Sequence, residues 1–148
     1  MSNENRRPSG QEGPLALYFD LRKVESQVAA SALSAGHVPT LQETVEDCLR
    51  NGYLNDGSGP PRYEDVLAAI DQGALVIFDG LDEVLSRITD AQGLTFTANL
   101  LKVLPEAAAR RTQRPGPAAQ GHKPPRVLLS CRTQFFRNLA EQHNHLTG

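Results

Sequence analysis

The sequence predicts an α/β fold in which three core strands form a parallel sheet with helices flanking it. Three short apolar runs, at 15–22, 74–78 and 126–130, are each followed by residues that favour a helix. The middle run has no polar alternation, which is typical of a strand buried on both faces of such a sheet. Ligands of open α/β sheets bind outside the carboxyl ends of the strands, so the polar residues that follow these runs are the first candidates for a site.

Length and composition fit one water-soluble domain. The chain has 148 residues and a net charge of −2, which argues against a nucleic acid or an anionic membrane surface as partner. No apolar run approaches the roughly 18–20 residues that a membrane span requires. The N-terminus, Met1–Pro8, is charged and lacks the apolar segment of a secretory signal. A cytoplasmic location is therefore expected.

The sequence predicts one folded region, with a disordered tail before it, a flexible insertion within it and a frayed end after it. Residues 1–13 carry nothing to bury and are expected to form a disordered tail. Within the folded region, 14–142, the stretch 113–125 is rich in Pro, Gly and Ala and predicts a flexible, exposed insertion. Residues 143–148 are expected to be a frayed C-terminus.

The first strand is predicted over Leu15–Arg22. Asp20 and Arg22, near its end, are interpreted as a turn-forming acid and a solvated base. The Ala- and Ser-rich stretch 24–35 predicts a helix that ends at Gly36.

Two further helices precede the central strand. Thr40 and Glu43 have the spacing of a capping box, so a helix is predicted to begin there and to end at Gly52. Residues 63–71 predict a short amphipathic helix that ends at Gly73, just before the central strand. The residues predicted to face the core are Leu41, Val45, Cys48 and Leu49 in the first helix and Val66, Leu67 and Ile70 in the second.

Beyond the central strand, residues 84–89 are expected to form a loop or a helical turn. A longer helix is predicted over 94–111, and Pro105 predicts that it is kinked or divided into two. A third strand over 126–130 and a final helix over 133–141 complete the fold. The predicted core side of the long helix consists of Leu94, Thr97 or Ala98, Leu101 and Leu104. Both cysteines, Cys48 and Cys131, are interpreted as packing residues, the second within a buried strand.

Three carboxylates, Asp79, Asp82 and Glu83, follow the central strand within five residues. A hard cation such as Mg²⁺ prefers one or two carboxylate oxygens together with phosphate oxygens and water. The simpler interpretation is that these acids cap the helix that follows the strand.

Two stretches carry a resemblance to a known family. Val76–Glu83 resembles the extended Walker B motif of the NACHT group of STAND NTPases, in which hydrophobic residues precede Asp-Gly-x-Asp-Glu. Arg126–Thr133 is similar to the next core strand of that family, which ends in a Ser/Thr-x-Arg sensor. The resemblance implies a three-layer fold like that of P-loop NTPases, with Asp79 and Arg132 at the same end of adjacent strands.

The resemblance also implies a role for each site residue. Asp79 would help to hold Mg²⁺, and Glu83 or Asp82 would orient or deprotonate the attacking water. Arg132 would sense the γ-phosphate, to which a guanidinium can donate as a fork. The alternative for Arg132 is a structural ion pair with the acidic residues after the central strand.

The sequence departs from the family in one decisive respect. The phosphate-gripping motif Gly-x-x-x-x-Gly-Lys-Ser/Thr does not occur in these 148 residues, and Gly59-Pro-Pro lacks the Lys-Ser/Thr pair. The resemblance therefore implies a fragment of a NACHT-type signalling ATPase, which is not expected to bind or hydrolyse nucleotide by itself. Mg²⁺ and ATP are expected only where a missing P-loop segment or a homologous NTPase protomer completes the site. In the family the P-loop strand flanks the sensor strand, so residues 126–130 are expected to form an exposed edge.

Two other functions compete with this one. A non-catalytic interaction or regulatory α/β domain derived from the same family would keep the sheet without the chemistry. An unrelated metal-dependent hydrolase would use Asp79, Asp82 and Glu83 and would bind Mg²⁺ or Mn²⁺ without nucleotide. The sequence alone does not decide whether the protein is an enzyme.

Overall fold

The computed structural model describes residues 15–24, 36–52, 61–113 and 124–132. Its elements, in chain order, are β1 (Ala16–Asp20), a 3-10 turn (Leu21–Lys23), α1 (Leu41–Gly52), α2 (Tyr63–Asp71), β2 (Leu75–Asp79), α3 (Leu81–Leu85), α4 (Asp90–Leu101), α5 (Val103–Gln113) and β3 (Arg126–Leu129). None of the helices in these ranges is long and apolar enough to cross a membrane.

The three strands form one parallel sheet in the order β1-β2-β3. This arrangement confirms the α/β class, the three core strands and the flanking helices. Asp20 lies opposite Asp79 in the register of β1 and β2, and Phe78 lies opposite Leu129 in that of β2 and β3. In the described ranges β3 pairs with β2 alone, so the third strand lies at an edge.

The core lies against one face of the sheet. Val76 and Phe78 are completely buried and join the helices in one apolar cluster, with Phe19 stacked on Phe78 at 5.5 Å between ring centroids. On the other face Tyr18 and Leu128 are 56% and 51% exposed. The residues of the central strand on this second face, Leu75 and Ile77, are half-buried, so the predicted full burial is confirmed on one face only. The three-layer arrangement stays a prediction, because the described helices pack into the core on one face.

The helices before the central strand follow the sequence prediction closely. Glu43 N–H donates to Thr40 Oγ1 over 3.2 Å, while Glu43 Oε2 accepts from Thr40 N–H over 2.8 Å, so the capping box at the start of α1 is confirmed. All four residues predicted for the core face of α1 are buried, and Gly52 ends the helix. In α2, Val66 and Ile70 are buried and Leu67 is half-buried.

The predicted long helix is divided into α4 and α5 at Lys102, three residues before Pro105. Pro105 thereby falls in the first turn of α5, where its missing N–H costs no intrahelical hydrogen bond. The predicted core side is correct only at Thr97, and it is already out of phase in α4, before the division. Ala98 and the leucines at 94 and 104 are exposed, and Leu101 is half-buried. Besides Thr97, the buried residues of the two helices are Gly93, Phe96, Asn99, Leu100, Val103 and Ala107.

Other differences from the prediction concern β1, α3 and Cys131. β1 ends at Asp20, because its side chain accepts the Arg22 N–H and begins a 3-10 turn. Helix α3 spans Leu81–Leu85, so it includes Asp82 and Glu83 and covers only the first two residues of the loop or helical turn expected over 84–89. Cys131 lies beyond β3 and is half-buried, not inside a buried strand.

Several predicted segments lie outside the described residues. These are the tail at 1–13, the helix at 24–35 apart from its first residue, most of the insertion at 113–125, the helix at 133–141 and the C-terminus at 143–148.

Candidate functional site

The carboxyl ends of the three strands meet around the carboxylate of Asp79. Ser130 Oγ donates to Asp79 Oδ1 over 2.6 Å, and Tyr18 Oη donates to Asp79 Oδ2 over 2.5 Å. Tyr18 belongs to β1 and Ser130 follows β3, so the carboxylate at the end of β2 joins all three strands. The Ser130 carbonyl accepts the N–H groups of Gly80 and Leu81 over 3.2 and 3.0 Å, which fixes the two strand ends together.

Gly80 turns the chain from β2 into α3. Its φ of +83° is left-handed, a conformation that glycine adopts without the steric cost of a Cβ. This turn places Asp82 and Glu83 in the first turn of α3, directly beside the strand ends. Asp79, Asp82 and Glu83 therefore lie at one edge of the sheet, as predicted.

Arg132 lies at the same edge and contacts both acidic residues of α3. Its Nε donates to Asp82 Oδ2, its Nη2 donates to Glu83 Oε1 over 3.1 Å, and its backbone N–H reaches Asp82 Oδ1 over 3.3 Å. The geometric expectation that Asp79 and Arg132 end adjacent strands on the same side is thus confirmed. Arg132 pairs with Asp82 and Glu83, while Asp79 contacts the hydroxyl groups.

The two acidic residues of α3 have different surroundings. Asp82 is 3% exposed, whereas the side chain of Glu83 is 35% exposed. Burial, the largest influence, raises the pKa of Asp82, but the hydrogen bonds and the charge of Arg132 outweigh it and leave this pKa below its usual 3.8. Asp82 is therefore an ionised, internally paired carboxylate, and Glu83 is the one that faces solvent.

A second ion pair stands on the β1 side of the site. Asp20 accepts the backbone N–H of Arg22 over 3.0 Å and two guanidinium N–H groups over 2.9 Å each. The turn-forming role predicted for Asp20 is confirmed, and its pKa is lowered chiefly by the Arg22 guanidinium. Arg22 is exposed as predicted, but it is paired, and its Cγ lies 3.5 Å from the place that a Cβ on Gly80 would occupy.

These contacts single out Asp79. In the described part of the chain, Asp20 is paired with Arg22, and Asp82 and Glu83 are paired with Arg132. In the same ranges neutral hydroxyl groups donate hydrogen bonds to the carboxylate of Asp79. The nearby guanidinium of Arg22 is hydrogen-bonded to Asp20 and acts on Asp79 only through its charge. The hydrogen bonds from Ser130 and then from Tyr18 lower the pKa of Asp79, and the Asp79 carboxylate raises the pKa of Tyr18.

Sequence reasoning did not identify Tyr18 as part of the site. Its only signal is the two-residue period of a strand, which puts positions 18 and 20 on one face. That signal becomes informative once β1 is known to pair in parallel with β2 and Tyr18 lies opposite Ile77, two residues before Asp79.

The donor set at this edge suits a cation that is shared with phosphate. Asp79 and Ser130 offer hard oxygen atoms, which Mg²⁺ prefers. No group of three or more His, Cys, Asp or Glu is placed to hold a metal within the described ranges. One carboxylate supplemented by phosphate oxygens and water matches the usual Mg²⁺ site in nucleotide-binding proteins, whereas a cage built from protein alone does not fit these residues.

A cavity of about 410 Å³ opens beside β1, between that strand, α1 and α2. Its walls are mainly apolar, and Tyr18 and Asp20 border it on the side nearest to the strand ends. None of Asp79, Asp82, Glu83 and Arg132 lines it. The cavity therefore adjoins the strand-end site through Tyr18 and Asp20 but does not include its other acidic residues or Arg132.

Comparisons with protein-family models, with curated proteins and with solved structures gave no match to this chain.

Proposed function

We propose that the strand-end site receives a divalent cation bound to a nucleoside triphosphate, as the Walker B and sensor part of a NACHT-type signalling NTPase. The observation that carries this proposal is the state of Asp79. It is an ionised carboxylate at the end of the central strand, and neutral hydroxyl groups hold it without cancelling its charge. A cation is the natural partner for such a group, since the neighbouring carboxylates already have guanidinium partners.

Each residue of the site has a distinct role in this proposal. Asp79, steadied by Ser130, holds the cation or its water ligands. A bound Mg²⁺ would neutralise charge on the phosphates, which is its usual contribution in nucleoside triphosphatases. Arg132 is 72% exposed and points its guanidinium along the same edge, so it is accessible to a γ-phosphate. Arginine binds phosphate oxygens through two parallel N–H donors.

The surroundings of the two acidic residues of α3 favour Glu83 over Asp82 for contact with the attacking water. Glu83 is partly exposed and makes one contact with Arg132, at 3.1 Å, so a phosphate that attracts the guanidinium would release Glu83. Asp82 is buried and binds both the backbone and the side chain of Arg132. Its role is to hold the arginine and the turn in place.

The phosphate-binding motif has to come from outside the 148 residues. Most of the binding energy for a triphosphate in P-loop proteins comes from the amides and the lysine of that motif, which this sequence does not contain. A segment of a longer protein or a homologous protomer would supply it. By itself the chain would bind ATP weakly or not at all.

Paramagnetic NMR tests the cation site directly, because Mn²⁺ broadens nearby amide resonances even when only a small fraction of the protein molecules has the ion bound. We expect Mn²⁺ with ATP to broaden the amide resonances of Gly80 and Ser130, and Asp79→Asn to remove the broadening. Asp90→Asn is the matched control, since it removes an exposed carboxylate from the first turn of α4. Equal broadening in Asp79→Asn and in the unmodified protein would disprove the role of Asp79.

A melting experiment separates the fragment from a self-sufficient nucleotide-binding domain. Mg²⁺ and ATP are expected to leave the melting temperature of the 148-residue chain unchanged, because the phosphate-gripping motif is not in its sequence. In a longer form that includes a P-loop, the same ligands should raise the melting temperature, and Asp79→Asn should reduce the rise. A clear increase for the 148 residues by themselves would contradict the need for an external P-loop.

A further inference from the structure

The hydroxyl of Tyr18 hydrogen-bonds to Asp79 although its exposed position would allow it to bind water instead. The residue is 56% exposed, so its hydroxyl has ready access to water. It nevertheless donates to Asp79 Oδ2 over 2.5 Å, across the boundary between β1 and β2. The backbone partner of Tyr18 in the sheet is Ile77, so the side chain extends along the strand direction to reach Asp79.

Tyr18 and Ser130 hold the two oxygens of one carboxylate from opposite sides. Ser130 donates to Oδ1 and Tyr18 to Oδ2, and they come from the two strands that flank β2. Rotation of the carboxylate about its Cβ–Cγ bond would break both hydrogen bonds. Each oxygen has about two acceptor positions, so one donor on each leaves room for a further partner.

The charged groups nearest to this carboxylate are already paired with one another. Asp20 and Arg22 stand on the β1 side and bind each other. On the β3 side Arg132 is held by Asp82 and Glu83. The hydrogen bonds that set the orientation of Asp79 therefore come from neutral hydroxyl groups, which leave its negative charge in place.

We propose that Tyr18 is a positioning residue of the site: together with Ser130, its hydroxyl fixes the carboxylate of Asp79 in the orientation that receives a hydrated divalent cation. The inference rests on the proposed function for the identity of the cation site. Hydrogen bonds to a metal-binding carboxylate commonly strengthen metal binding, because the ligand is oriented before the metal arrives. Tyr18 does not itself contact the cation in this arrangement.

Tyrosine-specific NMR tests the contact, and Mn²⁺ binding tests its effect. With ¹³C at the ζ carbon of tyrosine, the Tyr18 resonance is identified by its loss in Tyr18→Phe. Asp79→Asn should shift this resonance and leave that of Tyr63 in place. Tyr18→Phe keeps the aromatic ring, so the fold is expected to persist. The dissociation constant for Mn²⁺ in the presence of ATP, followed by broadening of the Gly80 and Ser130 amide resonances, should rise about three- to tenfold in this variant.

Two variants calibrate this result. Ser130→Ala should weaken Mn²⁺ binding to a similar extent, because it removes the other hydroxyl. Tyr63→Phe, in α2, should leave binding unchanged. If Tyr18→Phe binds Mn²⁺ as tightly as the unmodified protein while Asp79→Asn does not bind, the role of Tyr18 is disproved and the proposed function stands. If Asp79→Asn binds as tightly as the unmodified protein, the proposed cation site itself is wrong.

Discussion

Replacement of Asp82 by Asn tests whether this residue has the structural role that its surroundings indicate. The side chain keeps its size and loses its charge. Asp82 is 3% exposed and accepts hydrogen bonds from the guanidinium and the backbone N–H of Arg132. A hydrogen bond that involves charged groups contributes about 1.5–3 kcal/mol. Because the exposed guanidinium regains water in the variant, the expected loss of unfolding free energy is about 1–2 kcal/mol.

Urea unfolding followed by circular dichroism measures this loss, since the chain has no tryptophan for fluorescence. In a domain of this size the loss corresponds to a fall of about 2–8 °C in melting temperature. Glu83→Gln is the matched control on the same helix. Glu83 is partly exposed and makes one contact with Arg132, so the control should lose much less stability.

Acid should remove the difference between Asp82→Asn and the unmodified protein. The pKa of Asp82 in the folded protein lies below its usual 3.8, so its ionised form stabilises the fold above that value. This contribution is lost as the pH falls through the folded-state pKa, and the two proteins should then converge. Equal losses for Asp82→Asn and Glu83→Gln at pH 7, or a difference that persists in acid, would refute the reasoning.

Two further substitutions test the fold around the site. Val76→Ala should lower the unfolding free energy by about 2–3 kcal/mol in urea titrations, because it removes completely buried methyl groups and leaves a cavity, whereas Leu128→Ala on the exposed face should cost less than about 1 kcal/mol. Equal costs would contradict a core on one face of the sheet. Gly80→Ala should cost about 1–2 kcal/mol through its left-handed backbone, with the new Cβ at an ordinary 3.5 Å from Arg22 Cγ. Gly52→Ala, at the end of α1 with open space around it, is the control, and a Gly80→Ala protein as stable as this control would disprove the strained turn.

Local chemistry in the sequence was sufficient for much of the fold. The capping box at Thr40 and Glu43 and the apolar period of α1 depend on neighbours within one or two helical turns, and both were predicted correctly. The apolar run before Asp79 and the run before Ser130 likewise identified β2 and β3. Their parallel pairing then placed Asp79, Asp82, Glu83 and Arg132 at one edge, as the sequence indicated.

The errors arose where a choice depends on distant parts of the chain. The helical phase after Leu101 was wrong because the break at Lys102 rotates α5, and packing then buries Val103 and Ala107 instead of Leu104. Full burial of β2 holds on one face, while Leu75 and Ile77 on the other are half-buried, because hydrophobic composition does not reveal which face of a strand meets the helices.

By itself the sequence determined the three strands, the order of its acidic residues and the arginine that follows the third strand. These features depend on residue type and on spacing along the chain. Only the tertiary structure decided which group each of these charged side chains contacts. It placed Arg132 against Asp82 and Glu83, and it left Asp79 between the hydroxyls of Tyr18 and Ser130. The reason is physical, because hydrogen bonds and ion pairs form over about 3 Å. Tyr18 and Ser130 are 61 and 51 positions from Asp79 in the chain, and the pairing of the strands brings them within that distance.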